Sequence, residues 1–397
     1  MSIQSLSAHT GLLALLALVG LAIPACWPRA RQGQPRPRKP RNAVLDLCKG
    51  LAIIWIVLIH SLWWSGLLYV PVDLLRQLAL LIDVPLFFFL SGWAATYERN
   101  DAYAFFKRLY SLYLPYAVMM LFLLAVLYIG NHRPIHAGAA LRWLLLSYGR
   151  RQPPEWACVF VSMWYLKVLA VLVLLSPLLK WLARRRVAGG LLLALLALVN
   201  ILLSYRNYPA SVSPWDGETF APANLRYWLF YLFFLFLGFY TADVRLDRGR
   251  FLAALGPALA FFGLEAILQG PVLDLQNAKF PPTTLYFAAS LISIIIVLHL
   301  KSREERLQKG LADSWMGRAL QWCGQRVYSL YLYQGFGAVA IYPFVRASLR
   351  YPWPLVLAAA FGLNLGLTCL LTLAFHPVGT FWVHRIDRWA RKALAGG

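Results

Sequence analysis

Long apolar runs recur along the whole chain, and short polar segments separate them. Each run has about the 20 residues that an α-helix needs to cross the hydrocarbon core of a bilayer. The pattern therefore predicts an all-α protein, a polytopic transmembrane helical bundle of about ten to eleven spans. The predicted spans are 11–27, 43–64, 74–97, 110–130, 157–179, 188–205, 225–243, 251–269, 284–300, 327–345 and 353–376.

The connectors between alternate spans are rich in lysine and arginine. Cytoplasmic loops of membrane proteins carry such an excess of positive charge, so we expect these connectors to lie in the cytoplasm. The polar loop 206–224 then lies on the opposite side of the membrane. The basic connectors are 28–41, 98–108, 180–186, 245–250, 301–326 and 384–392.

The chain divides into four parts. The ten residues before the first apolar run contain no lysine or arginine, unlike the start of a secretory signal, so we expect residues 1–27 to remain as an N-terminal membrane anchor. Residues 28–42 form a basic linker rich in proline and arginine. Residues 43–376 form the transmembrane domain, and residues 377–397 form a basic cytoplasmic tail.

The composition supports a membrane protein and excludes other classes. Of the 397 residues, 60% are hydrophobic and 14% are charged, whereas a soluble protein carries about 25% charged residues. The net charge of +22 would suggest nucleic-acid binding in a soluble chain. Because the basic residues alternate with the spans, we expect no nucleic-acid partner. Five scattered cysteines predict no disulfide framework. His132 and His136 flank Pro134 without a carboxylate at ligand spacing, so no metal site is expected.

Three polar residues fall on one side of the predicted helix 43–64. Lys49 and His60 are eleven residues apart, which is close to three helical turns and places them roughly 16 Å apart on the same face. Asp46 lies within about 40° of His60 on the helical wheel. Charged groups inside a span usually face the protein interior or a water-filled cavity, which indicates a functional site. Snorkelling charges and a structural histidine are the alternative.

The next predicted span, 74–97, contains an acid, Asp83, two residues before Pro85. A proline disrupts the helix and frees backbone groups near the acid. An aspartate near a histidine is the pairing expected where an imidazole must be oriented or kept basic. We therefore predict that His60 and Asp83 are the catalytic residues. An aspartate that packs against a neighbouring span is the alternative for Asp83.

Six segments follow one another with the residue types and order of a known membrane-enzyme family. They are LDLCKGLAIIWIVLIH (45–60), VPLFFFLSGW (84–93), FFKRLYSLYLPY (105–116), MWYLKVL (163–169), FYLFFLFLGFYTAD (230–243) and CGQRVYSLYLYQ (323–334). Together they resemble the bacterial integral-membrane acyltransferase 3 family over roughly residues 41–376.

This resemblance implies a carbohydrate O-acyltransferase. The acyl group, usually acetyl, would come from acyl-CoA as a co-substrate, with no permanently bound cofactor. His60 would be the general base or a transient acyl acceptor, and Asp83 would orient its imidazole. The residues expected to bind donor and substrate are Asp46, Lys49, Ser91, Gly92, Trp93, Lys107, Arg108, Trp164, Tyr331 and Gln334.

The chain departs from the family pattern at three positions. Lys49 replaces an arginine, which keeps the charge but loses the planar fork of a guanidinium. Ser111 replaces the second arginine of the cytoplasmic pair, and Gln334 replaces a late histidine. Because these positions concern the acyl donor in the family, they put the identity and affinity of the donor in question.

The resemblance also implies a location and partners. A multi-pass protein of the bacterial inner membrane would contact membrane lipid and a carbohydrate or lipid-linked glycan acceptor. Other membrane proteins of polysaccharide biosynthesis are further candidate partners. A glycolipid or polysaccharide transporter or flippase without acyl-transfer activity is the alternative, although the sequence shows no internal repeat of the kind that transporters carry.

Overall fold

The computed structural model of the chain describes residues 42–63, 69–98, 101–131, 135–146, 156–204, 225–270, 273–312 and 314–395. The predicted anchor 1–27, the linker up to residue 41 and the polar loop 206–224 lie outside these residues.

Helices make up most of the described chain, and no β-strand occurs in it. The helices are α1 (Ala43–Trp63), α2 (Asp73–Ala79), α3 (Val84–Ala95), α4 (Ala102–Asn131), α5 (Ala137–Leu144), α6 (Ala157–Ser162), α7 (Trp164–Leu174), α8 (Ser176–Arg184), α9 (Arg186–Ser204), α10 (Leu225–Tyr240), α11 (Arg248–Gln269), α12 (Leu275–Ala278), α13 (Thr284–Ser302), α14 (Glu304–Ala312), α15 (Trp315–Gln325), α16 (Val327–Ser348) and α17 (Trp353–Ala395).

Within the described ranges, eight segments are long and apolar enough to cross a membrane. They are Ala43–Trp63, Asp73–Ala95, Ala102–Ile129, Ala157–Leu174, Arg186–Ser204, Arg248–Leu268, Thr284–Ser302 and Trp353–Arg391. The predicted all-α polytopic bundle is therefore confirmed. Of the ten predicted spans that fall on described residues, two are not among the eight. The span 225–243 corresponds to a shorter apolar helix, Arg226–Tyr240, and 327–345 corresponds to α16. Tyrosines and a glutamine lower the hydropathy of α16, although much of the helix is buried.

The two segments that carry the predicted chemistry begin and end for local reasons. Asn42 starts α1, because its side-chain oxygen accepts the backbone N–H of Leu45 at 2.8 Å. The span 73–95 is broken between α2 and α3, where Asp83 is extended and Pro85 follows in the first turn of α3. As the proline predicts, the acid sits at this break rather than inside a continuous helix.

Two glycines bring helices α3 and α10 into backbone contact. Gly92 of α3 faces the backbone of Leu235 in α10, and Gly238 of α10 faces the backbone of Phe89 in α3. A side chain larger than hydrogen would overlap the neighbouring backbone at either position. This reciprocal contact is the small-residue packing that brings helices together inside a bilayer.

The C-terminal helix is longer than the sequence predicts. The predicted span 353–376 and the first part of the tail 377–397 form one helix, α17, which continues without a break to Ala395. It packs against α16, α4 and α1. The basic end of the chain is therefore attached to the bundle rather than separate from it.

The distribution of basic connectors predicts which side of the bundle faces the cytoplasm. A cysteine in place of exposed Arg350, between α16 and α17, should react with a membrane-impermeant maleimide in intact cells. A cysteine in place of exposed Arg185, between α8 and α9, should react only after the membrane is permeabilised. The unmodified chain gives the background from its own cysteines. Labelling of the Arg185 position alone in intact cells would invert the orientation.

Candidate active site

His60 lies in the wall of a small chamber of about 40 Å³. The last turn of α1 brings His60 to this chamber. Asp83 enters from the break before α3, Trp164 from the start of α7, and Lys279 from the end of α12. Four separate parts of the fold therefore meet at this chamber.

The turn that carries Lys279 is held in place by hydrogen bonds. The side-chain oxygen of Gln77 in α2 accepts the backbone N–H of Leu275 at 2.8 Å. Asp274 caps α12 by accepting the backbone N–H of Asn277 at 2.9 Å. Because two hydrogen bonds hold the start of this short helix, Lys279 extends to the chamber from an ordered turn.

A buried ion pair lies beside the histidine. The Lys279 ammonium is 2.6 Å from the Asp83 carboxylate, and the Tyr286 hydroxyl donates to the same carboxylate oxygen at 2.7 Å. Asp83 is 2% exposed and Lys279 is 8% exposed, so water is largely excluded from the pair. Within the described residues, the Asp83 carboxylate is thus bonded to Lys279 and Tyr286.

The fold places a cation and a buried amide near His60. Lys279 lines the same chamber as His60, and Gln334 is fully buried in α16, which packs against α1. A glutamine amide can donate or accept a hydrogen bond, whereas a lysine ammonium can only donate. The chamber therefore presents a fixed positive charge beside the histidine.

A second and much larger cavity, of about 750 Å³, lies along the same side of α1. Four cations line it: Lys49 from α1, Lys107 and Arg108 from α4, and Arg391 from the end of α17. The volume lies within the range of pockets that hold cofactors and drug-sized ligands. Its charge suits an anionic ligand.

Carboxylates already accompany some of these cations. Lys107 and Arg391 each lie 3.1 Å from an oxygen of Asp387, and Arg108 lies 3.6 Å from Glu98. The Arg108–Glu98 separation is longer than the roughly 2.7–2.9 Å of a charge-assisted hydrogen bond. An incoming anion that bonds Arg108 at that shorter distance can therefore compete with Glu98. The four cations still outnumber the two carboxylates.

Two tyrosines separate the cavities. Tyr165 of α7 and Tyr331 of α16 line both the small chamber and the large cavity. Their rings meet edge to face, with centroids 5.0 Å apart. These two rings therefore lie at the wall that the large cavity and the His60 chamber share.

The family comparison agrees with this arrangement. A family model described as an acyltransferase domain, Acyl_transf_3, matches residues 42–373, which is most of the chain. The chain belongs to the acyltransferase 3 family. The predicted family resemblance is therefore confirmed, and the protein is a multi-pass membrane acyltransferase. Comparisons with curated proteins and with solved structures found no match.

Most of the predicted site residues of this acyltransferase line one of the two cavities. Those that line the small chamber are His60, Asp83, Trp164 and Tyr331. Those that line the large cavity are Lys49, Ser91, Lys107, Arg108 and again Tyr331. The fold therefore brings eight of the twelve predicted side chains to the two cavities.

Four predicted residues of the acyltransferase lie in neither lining: Asp46, Gly92, Trp93 and Gln334. The backbone of Asp46 packs against Gly324 in α15, and Gly92 makes the contact with α10. The ring of Trp93 lies under the Lys301 ammonium at 4.7 Å. Gln334 is fully buried in α16. The first three therefore hold helices together.

Sequence reasoning missed Lys279, Tyr165 and Arg391. One signal for Lys279 was available, because it is an isolated lysine on the predicted outer side, against the positive-inside bias. Tyr165 is part of the quoted segment 163–169 and has no distinguishing pattern. In the sequence, Arg391 is one more basic residue of the tail, and only the course of α17 brings it to the large cavity.

The described residues contain no group of three or more potential metal ligands.

Proposed function

We propose that this acyltransferase moves a short acyl group from cytosolic acyl-CoA to a hydroxyl of a cell-envelope carbohydrate, in the inner membrane of a bacterium. The observation that carries the proposal is the shared wall between the cationic cavity and the His60 chamber. An anionic donor with a long neutral arm fits this arrangement, since its phosphates and its thioester need different surroundings.

The large cavity would hold the anionic part of CoA. Lys49, Arg108 and Arg391 lie around its lining, where their donors can reach phosphate oxygens. Because the chain has no glycine-rich phosphate loop, side-chain cations would perform this task. The pantetheine arm would then extend along α1, over the roughly 16 Å that separate Lys49 from His60.

At the chamber, His60 would accept the proton of the acceptor hydroxyl as its oxygen attacks the thioester carbonyl carbon. The carbon–sulfur bond breaks, and the departing CoA thiolate takes the proton back from the imidazolium. The products are free CoA and the carbohydrate ester. In the alternative route, an imidazole nitrogen attacks first and carries the acyl group until the hydroxyl arrives.

Lys279 would stabilise the negative charge that develops on the carbonyl oxygen. A positive charge in a chamber that excludes water is worth more than the same charge in solvent. The Asp83 carboxylate would position that ammonium directly, at 2.6 Å. Tyr286 would hold Asp83 in place by donating to the same carboxylate oxygen at 2.7 Å. Asp83 is then a positioning residue.

The direct test uses purified protein in proteoliposomes with acetyl-CoA labelled in the acetyl group. The acceptor is the glycan fraction extracted from the envelope of the source organism. We expect labelled ester on the glycan and free CoA in equal amounts. Label that remains on the protein before glycan is added would favour the acyl-histidine route. Folded protein that transfers no label to any glycan would contradict the proposal.

Removal of a cation from the large cavity should weaken donor binding. Arg108→Ala should raise the KM for acetyl-CoA about tenfold or more, because a charge-assisted hydrogen bond contributes about 1.5–3 kcal/mol. The kcat should change much less, since Arg108 lies away from the chamber. Initial rates at varied acetyl-CoA give both constants.

Arg185→Ala is the matched control, because Arg185 lies on the same predicted side of the membrane but lines neither cavity. Its KM for acetyl-CoA should equal that of the wild type. An unchanged KM in both Arg108→Ala and Lys49→Ala would remove the support for a CoA site in this cavity.

A further inference from the structure

Contacts on both sides fix the two tyrosines between the cavities. The Tyr331 hydroxyl donates to the backbone carbonyl of Ser162. The ring of Tyr165 packs edge-on against Phe88, with centroids 4.8 Å apart, and its hydroxyl lies 3.5 Å from that of Ser91. Both tyrosines are at least nine-tenths buried. The wall that they form is therefore part of the packed core.

The chamber behind this wall is small. A volume of about 10–15 Å³ holds one water-sized sphere, so the 40 Å³ of the His60 chamber holds about three. An acetyl group has about that many non-hydrogen atoms. A longer acyl group needs space on the side of the chamber that Tyr165, Tyr331 and Trp164 line, and all three rings are buried and packed.

We propose that Tyr165 and Tyr331 set the upper size of the acyl group, so that acetyl is accepted and longer acyl groups are rejected at the chamber. This inference rests on the proposed acyl-CoA donor and adds the substrate class and the residues that select it. Discrimination arises because the rings occupy the space that a longer chain requires. The cationic cavity binds the CoA part of every thioester alike.

The test measures glycan ester formation from acetyl-CoA, butyryl-CoA and hexanoyl-CoA by the reconstituted full-length protein. The wild type should prefer acetyl-CoA over butyryl-CoA by at least about 10–200-fold in kcat/KM, because one misfit methylene alone has an effect of this size and butyryl adds two, with a larger ratio for hexanoyl-CoA. Tyr165→Ala and Tyr331→Ala should each lower the acetyl-to-butyryl ratio at least tenfold. Tyr165→Phe and Tyr331→Phe keep the rings and should keep the ratio.

Tyr333→Ala is the matched control, because Tyr333 lies on the same helix as Tyr331 but packs against Phe375 and lines neither cavity. Its ratio should equal that of the wild type. A wild type that uses hexanoyl-CoA as well as acetyl-CoA would overturn the size limit, even if the alanine variants did not fold. An unchanged ratio in folded alanine variants would do the same.

The acyl-CoA donor and the size limit are contradicted by different results. If no thioester yields ester, the acyl-CoA donor is wrong, and the size limit falls with it. If acetyl and longer groups are transferred equally, the donor stands and only the role of the tyrosines is wrong.

Discussion

His60→Gln is expected to lower the rate of acyl transfer by about 10²–10⁴-fold, the usual contribution of a general base. Glutamine has a similar reach and can form hydrogen bonds, but it cannot take up a proton at neutral pH. If His60 carries the acyl group itself, the loss should be at least as large. The measurement is initial rate of labelled ester formation in proteoliposomes with saturating acetyl-CoA.

The control for this variant is His136→Gln, since His136 is exposed at the start of α5 and lines neither cavity. It should transfer acyl groups at the wild-type rate. Binding of acetyl-CoA by His60→Gln should also remain, because the cationic cavity is separate. A His60→Gln protein with wild-type activity would return this residue to a structural role.

Lys279→Met is expected to lower kcat by about 10²–10³-fold, the cost of removing one group that stabilises an oxyanion. It should also destabilise the fold, because Asp83 would remain buried without its cation, and such a loss costs about 3–5 kcal/mol. Initial rates at varied acetyl-CoA and saturating glycan measure the loss of kcat. Thermal unfolding in detergent measures the loss of stability.

A double variant separates the two roles of Lys279. In Asp83→Asn with Lys279→Met, no charge is left buried, so most of the thermal stability should return. The activity should stay low, because the ammonium beside His60 is still missing. If the double variant regains activity together with stability, Lys279 serves the fold alone and the proposed stabilisation of the oxyanion is wrong.

The apolar pattern predicts the fold well because the bilayer allows few solutions. Every backbone polar group inside it must be bonded within its own segment, so a long apolar run implies a helix. The spans 43–64 and 284–300 match α1 and α13 closely for this reason. The pattern works less well at α17, where the helix continues past residue 376 into a basic, amphipathic end. Hydropathy indicates where the chain leaves the apolar core of the bilayer, and a helix can continue beyond that point.

The site is only partly predictable from the sequence. Lys49 and His60 belong to one helix, so their relation follows from helical geometry. The pairing of Asp83 with Lys279 does not follow from helical geometry, because a turn almost two hundred residues away along the chain brings Lys279 to Asp83. The wall of Tyr165 and Tyr331 joins helices α7 and α16, and nothing in either local pattern specifies that contact. Contacts that form through tertiary packing are identified from the structure and not from the local sequence.

The reciprocal contact of Gly92 and Gly238 has a consequence for how this enzyme can work. With their backbones touching, α3 and α10 cannot slide or rotate past one another without separating, so the pair behaves as one rigid body. Ser91, which borders the large cavity, and Phe88, which packs against Tyr165, both belong to α3 and therefore move together with α10. A transporter moves its substrate across the membrane by rocking one half of the protein against the other. In this protein, a rocking motion that separated α3 from α10 would have to break the backbone contact that the two glycines make.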